Sequence, residues 1–509
     1  MKIAIAQVNT TVGDLAGNVS RCVDAAKRAA AGSPDLILFP EMTVPGYPPR
    51  DILLDGTFIQ AVQAATLDLA RRLDGFPPAL AGSLAPAGTT FPRHPNQFNA
   101  AYLLQNGEAR LVAVKRLLPV YDVFLEPRWF APGGFMPPLE IAGKRVGVLI
   151  CEDLWSDGYP VSPAKELLEA GAEVLVNLSA SPYRPGVLDE RIRLGGRTGV
   201  PFVFANLVGA TDELIFDGQG FALDAEGNLL GQCPAFEEAV QVFDLAAAPE
   251  APEKMDEAEE LFRALALGIR DFARKNRLRR AALGLSGGVD SSLAAVLAAE
   301  ALGPEAVTGI AIPSRYTDPR STDSAETLAK NLGIGFQVVP LEALHAAAES
   351  ALNSLLKSET GAENAQARLR MLVLMAFVNK HGGFLLNTSN KTELSLGYAT
   401  LYGDMAGALA PLADLTKPQV YALVRWVNRE REVIPRFCLD RPPSAELRPD
   451  QVDPFDYDRV SPAMEELVRS NRSDPALRRS EHKRWQMGIV LKVSEKSFGT
   501  GRLVPVTRG

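Results

Sequence analysis

Ser286-Gly287-Gly288-Val289-Asp290-Ser291-Ser292 joins an apolar run, Ala281 to Leu285, to an Ala-rich stretch with helical character. Two adjacent glycines let backbone amides come close to a ligand. The serine hydroxyls and the first turn of the following helix add donors and the positive end of a helix dipole, which together suit phosphate. Asp290 inside such a cradle repels phosphate unless a cation bridges the two. The chemistry that fits is binding of a metal–triphosphate complex; a Gly-Gly turn capping an ordinary helix is the plain alternative. No Gly-Lys-Ser/Thr follows the glycines, so the loop is not a Walker A motif.

The elements that must position this loop alternate along the chain. KIAIAQV, DLILFPE, RVGVLIC, EVLVNLS and PFVFANLV read as strands, separated by Ala-rich amphipathic segments such as Val19 to Ala31. After 261 the order is helix, strand, loop, helix, then the strands AVTGIAI and FQVVPL and a long helical region reaching His381. Both halves are α/β, and the second reads as a parallel sheet with helices on both faces. Its nucleotide site is expected at strand C-terminal ends. Several strands of the first half end in polar residues, Glu41, Cys151, Ser179 and Ser181, where such folds place chemistry. AAAPEAPEKMDEAEE (246–260) is a Pro-, Ala- and acid-biased connector, giving domains at 1–245 and 261–509.

A chain of 509 residues is too long for one ordinary core. A net charge of −8 excludes a generally basic nucleic-acid or membrane surface. MKIAIAQVNT is too short and polar for a signal peptide, and no apolar run approaches transmembrane length. The four cysteines show no CxxC pair or zinc spacing, and the four histidines do not cluster. A reduced, cytoplasmic compartment is expected.

The 286–292 loop resembles the SGGxDS loop of the N-type ATP pyrophosphatases, which release pyrophosphate from ATP to form an adenylated substrate. In the first half, Glu41 after Phe39-Pro40, Lys115 opening KRLLP and Cys151 opening CEDLW resemble, in order and context, the Glu-Lys-Cys triad of the nitrilase superfamily. That resemblance implies an α-β-β-α sandwich over about 1–245. It also implies Cys151 as nucleophile, Glu41 as general base and Lys115 as oxyanion stabiliser, with help from the Glu152 amide. YDVFLEPRWF and NLSASPY are similar to the glutaminase domain of glutamine-dependent NAD synthetases. By that likeness Tyr121, Glu152 and Ser181 contact glutamine and Glu126 supports the triad. Six residues past Ser181, where that branch carries a basic residue, stands Val187, leaving Arg184 as the candidate for the glutamine carboxylate.

GAENAQARLRM, NTSNKTELSLGYATLYGD, LTKPQV, PPSAELRPDQVD and EHKRWQMG resemble the same family's synthetase blocks, in family order. They imply Ser286–Ser292, Arg315, Thr388 and Lys417 for ATP. Asn364, Arg368, Glu393, Asp404 and Lys483 are implied for deamido-NAD, with Thr400 also lining the site. Asp290, Glu393 and Ser444 are implied for Mg²⁺. Arg315, Arg368, Lys391, Lys417 and Lys483 supply candidate positive charge for an anionic dinucleotide. The expected reaction is ATP-dependent amidation of deamido-NAD with ammonia from glutamine. The family also implies a homo-oligomer built through synthetase domains. A synthetase for another carboxylate, an ammonia-only enzyme with a scaffold first half, and a non-catalytic nucleotide module are the alternatives.

Overall fold

Among the described residues, twelve strands of the first half form two six-stranded sheets. In spatial order the first holds Ala239–Asp244, Lys2–Gln7, Leu36–Leu38, Ala79–Pro86, Gln97–Gln105 and Glu108–Val114. The second holds Leu229–Gln232, Phe221–Leu223, Phe202–Asn206, Val174–Ser179, Lys144–Ile150 and Leu139–Ile141. Period-two alternation explains their stacking. Ile3, Ile5, Leu36 and Leu38 meet Val146, Val148, Val174 and Val176 in a core between the sheets. The opposite faces also bury apolar side chains. Ala4, Ala6 and Ile37 pack with Val19, Val23, Val62 and Leu69 of the helices Leu15–Ala30 and Gly56–Arg72. Leu149, Leu175, Phe202 and Phe204 pack with Leu167 and Leu194 of Pro163–Glu169 and Val187–Gly196. The result is the four-layer helix–sheet–sheet–helix sandwich.

The computed structural model describes residues 1–88, 96–251, 255–472 and 474–499. Its contacts divide into two units, Met1–Lys254 and Met255–Gly509, a division lying within the 246–260 segment. Asp256 caps the first helix of the second unit, Glu257–Lys275, by accepting from Ala258 N.

The second unit is built on a parallel sheet ordered Gly335–Val338, Val307–Ala311, Ala281–Gly284 and Phe384–Leu385. Ala282, Ile310 and Leu385 pack against Met371 and Leu374 of the long helix Glu359–His381. The helix Val289–Leu302, buried along nearly its whole length, packs on the same strands. From Ala281–Gly284 the chain first steps to one side of the sheet and later returns on the other. That reversal opens a crevice beyond Gly284 and Leu385.

Candidate active sites

In the first unit Lys115 lies at the end of a strand and is almost wholly buried between two carboxylates. Its Nζ is 2.8 Å from Glu41 Oε1 and 2.8 Å from Glu126 Oε1. Glu41 also accepts from Asn99 Nδ2 at 2.6 Å and from Ala180 N at 2.9 Å, so both its oxygens are aimed. The Tyr47 hydroxyl donates to Glu126 at 2.9 Å. Burial pushes Glu126 up to about 7, Lys115 opposing and Glu41 adding to the rise. Lys115 is held well above its ordinary value by these two carboxylates, against the cost of its burial.

Cys151 follows the strand Lys144–Ile150 with φ +46°, a left-handed conformation that costs about 1–2 kcal/mol in a non-glycine residue. Asn177, from the middle of the buried neighbouring strand, holds it there. Its Oδ1 accepts from Cys151 N at 2.9 Å and its Nδ2 donates to Cys151 O at 3.2 Å. Asp153 ties the two loops together. Its Oδ1 accepts from Arg116 N and Leu117 N, each at 2.9 Å, and its Oδ2 from Ile150 N at 3.2 Å. Burial, then the Glu41 charge, raises the Cys151 thiol well above its usual range, with Lys115 opposing. A neutral thiol beside a carboxylate and an ammonium is arranged for proton transfer during attack rather than for a standing thiolate.

Next to Cys151, Glu152 is held by two phenols: Tyr121 and Tyr159 each donate to its carboxylate at 2.9 Å. These three line one cavity of about 340 Å³ with Trp155 and Arg193. Ser181 is buried and engaged by Arg191, whose Nη2 is 3.0 Å from its Oγ; Arg191 itself pairs with Asp217 at 2.8 Å. Arg184 does not line the cavity. It pairs with Glu190 at 2.6 Å, on the helix that Val187 begins, so its guanidinium is taken.

In the second unit the 286–292 loop sits at the crevice. Gly287 has φ +75°, and a Cβ there would lie 2.1 Å from Ser321 O, so only glycine fits. Gly288 caps Val289–Leu302, and the hydroxyls of Ser291 and Ser292 donate back to Gly288 O at 3.1 and 2.8 Å. Two adjoining cavities open here. One, about 250 Å³ and largely apolar, is walled by Ile312, Met371, Leu374, Leu385 and Arg370. The other, about 200 Å³, is polar and includes Ser286, Asp290, Glu393, Lys417, Arg441 and Ser444. Thr388 and Asp404 line both.

Lys417 Nζ is 2.5 Å from Asp290 Oδ2 and 3.1 Å from Glu393 Oε1, and Asn390 Nδ2 is 2.9 Å from Asp290 Oδ1. Burial raises Glu393 to about 7 against the pull of Lys417. Burial also lifts Asp404, which accepts from Thr400 N at 2.6 Å, to about 6. Two carboxylates converging on one cation at the edge of a polar cavity form a donor set of the kind Mg²⁺ takes with phosphates. Among the described residues no group of three His, Cys, Asp or Glu forms a protein-only metal cage.

Other expected residues lie elsewhere. Arg315 lines neither cavity, because Glu342 and Glu349 hold it at 2.6 and 3.1 Å. Lys391 is buried among Asp414, Glu465 and Ser494, so its charge is spent inside the unit. Ser444 lines the polar cavity, but its hydroxyl donates to Gln451 O at 2.5 Å and closes its own turn. Asn364 accepts from the Thr400 hydroxyl at 2.9 Å, and Arg368, exposed, reaches Leu401 O at 3.1 Å. Lys483 donates to Gly397 O and Ala399 O at 2.7 and 2.5 Å. None of these last three lines the two cavities. The signals missed in the sequence were single polar residues inside apolar strands, Asn99 and Asn177, and Arg441, which donates to Ser321 Oγ at 2.6 Å beside the loop.

A four-layer sandwich with a Cys-Glu-Lys cluster and a parallel-sheet unit with a phosphate loop define a fused amide-hydrolysing and nucleotide-activating enzyme. The family model for carbon-nitrogen hydrolases matches residues 2–249, and that for NAD synthase matches 261–497. A glutamine-dependent NAD(+) synthetase of Synechocystis sp. is 39% identical over 99% of this chain and 98% of its own. One from Thermotoga maritima is 35% identical over 100% and 98%. The structure of the Acinetobacter baumannii glutamine-dependent NAD+ synthetase in complex with ADP superposes with TM-score 0.80 at 30% identity, covering 99% of this chain and 98% of that one. The chain belongs to the glutamine-dependent NAD(+) synthetase family, ligases of NAD biosynthesis.

Proposed function

We propose that the first unit releases ammonia from glutamine at Cys151 and that the second uses ATP to convert deamido-NAD to NAD. Cys151 Sγ attacks the glutamine amide carbon while Glu41 takes the thiol proton and delivers it to the leaving nitrogen. Lys115 and the Glu152 amide stabilise the oxyanion. Glu41 then activates water to open the γ-glutamyl thioester, giving glutamate. The observation carrying this half is Lys115 held 2.8 Å from both Glu41 and Glu126 beside a thiol on a left-handed turn.

In the second unit ATP is read into the paired cavities, its adenosine against Ile312 and Leu374 and its phosphates against the 286–292 loop; that the A. baumannii relative was solved with ADP supports nucleotide binding as such. Asp290 and Glu393 would hold Mg²⁺, which when bound supplies charge neutralisation to the departing pyrophosphate. The nicotinate carboxylate attacks the α-phosphorus and pyrophosphate leaves; ammonia then displaces AMP. Lys417, though paired with Asp290 and Glu393, and Arg441, though paired with Glu446 at 2.8 Å, line the polar cavity where the phosphates would lie; Thr388 is read as a contact to ATP and Asp404 as one to deamido-NAD. Ammonia becomes unreactive ammonium in water, so its transfer without mixing into solvent is part of this reading. So are a homo-oligomer, measurable by light scattering, and a cytoplasmic setting, which suits four free, buried cysteines. Among the described residues no helix is long and apolar enough to cross a membrane.

The test is NAD formation from ATP, Mg²⁺ and deamido-NAD with glutamine or ammonium as donor. Cys151→Ala should lose the glutamine-driven reaction and keep the ammonium-driven one. Equal rates with glutamine for wild type and variant would refute the first half. No AMP release with either donor would refute the second.

A further inference from the structure

Three arginines lie on or near the helix Val187–Gly196, and their commitments differ. Arg184 is bound to Glu190, and Arg191 is fully buried against Asp217 and Ser181. Arg193, in the last turn, is exposed on the cavity that Glu152, Tyr121 and Tyr159 line, and its guanidinium is held by no carboxylate among the described residues. The cavity therefore has a negative pole, Glu152 fixed by two phenols, and a positive pole, Arg193, and Glu152 is the residue that follows Cys151 in the chain. A free α-amino acid presents an ammonium and a carboxylate from one carbon. A peptide-bound glutamine side chain or a simple amide presents neither.

We propose that Arg193 binds the α-carboxylate of glutamine and so selects the free amino acid over other primary amides. This rests on the reading that Cys151 attacks a glutamine amide. The ammonium of glutamine meets Glu152, its carboxylate meets Arg193, and its side chain is left to run toward the thiol. Guanidinium and carboxylate form paired charge-assisted hydrogen bonds, so the contact carries both affinity and orientation. Val187, buried at the start of the same helix, has no such group to offer.

Ammonia release from glutamine and from 4-aminobutanamide, which keeps the amine and the amide but lacks the carboxylate, separates the possibilities. Wild type should favour glutamine in kcat/KM. In Arg193→Ala the KM for glutamine should rise about 10- to 100-fold, the worth of a charge-assisted contact, and the preference should collapse. Arg193→Lys should recover part of it. Calorimetry of glutamine on Cys151→Ala, with and without Arg193→Ala, reads binding apart from chemistry, and the second substitution should weaken it by a similar factor. Unchanged glutamine binding, or an equal loss for both amides, would overturn the assignment while leaving the nucleophile in place. A wild type that frees no ammonia from either amide would overturn the glutaminase reading and this assignment together.

Discussion

Asp153 reaches neither substrate nor thiol, yet replacing it should silence the first active site. Its two oxygens accept three backbone N–H bonds, from Arg116, Leu117 and Ile150, and so fasten the end of the Lys115 strand to the turn that presents Cys151. Asp153→Ala leaves three buried donors without acceptors, at about 1–3 kcal/mol each before relaxation; a net loss of about 3–6 kcal/mol is expected. Displacement of Lys115 or Cys151 by even an ångström should then lower glutamate release by more than about 100-fold. Asp153→Asn adds a test of sign. Burial raises the Asp153 carboxyl from 3.8 to about 6, outweighing the hydrogen bonds that favour its ionised form. The folded chain thus holds the proton more tightly than the unfolded chain does. That stability is fully present below pH 4 and lost as pH rises through about 6, an effect on the order of 3 kcal/mol. Asparagine cannot ionise. Between pH 4 and 7 wild type should therefore lose ground to Asp153→Asn by roughly 6–12 °C in the melting of the first unit. Identical pH dependence in the two proteins, or glutaminase activity within threefold of wild type in Asp153→Ala, would refute the reasoning.

Glu126, raised to about 7, should give glutaminase an acid limb there: its protonation leaves Lys115 paired with Glu41 alone and makes Glu41 a poorer base. Glu126→Gln should flatten that limb and run at least about tenfold slower at pH 8; an unaltered pH profile would count against it. Lys417→Met strands the Asp290 and Glu393 carboxylates, and denaturant unfolding should show a loss of about 3 kcal/mol, with AMP formation abolished. Gly287→Ala drives a methyl into Ser321 O at a left-handed position, so pyrophosphate release should fall more than tenfold while glutamate release persists. Asn177→Ala removes both hydrogen bonds that hold the Cys151 turn and should reduce glutaminase about 100-fold without affecting ammonium-driven synthesis.

The layering could be read from the sequence because both sheets bury both faces, so their strands stand out as short, nearly continuous apolar runs between amphipathic helical segments. The loop and the triad were also legible as candidates, since each residue sits in a short contiguous run at a strand end, and the structure brings Lys115 to 2.8 Å from Glu41. Long-range charge pairing was not. Nothing near Arg315 announces Glu342 and Glu349, which come together only because they lie seven residues apart on one helix. Lys391 looks like a phosphate ligand until Asp414 and Glu465 close on it. Asn177 was visible as the one amide inside VLVNLS, a polar intrusion that a buried strand tolerates only with partners for both its atoms.

Lys417 acts as a tethered counterion for Asp290 and Glu393. A bare divalent ion arriving from solution must evict a charge that the fold keeps permanently at hand, and it gives the displaced ammonium nothing in exchange. A metal already carrying a triphosphate offers the ammonium new oxygens as it leaves the carboxylates. Under the proposed Mg²⁺–ATP reading, such a site would favour a metal arriving with its triphosphate over a bare ion, and between turnovers Lys417 stays paired with both carboxylates.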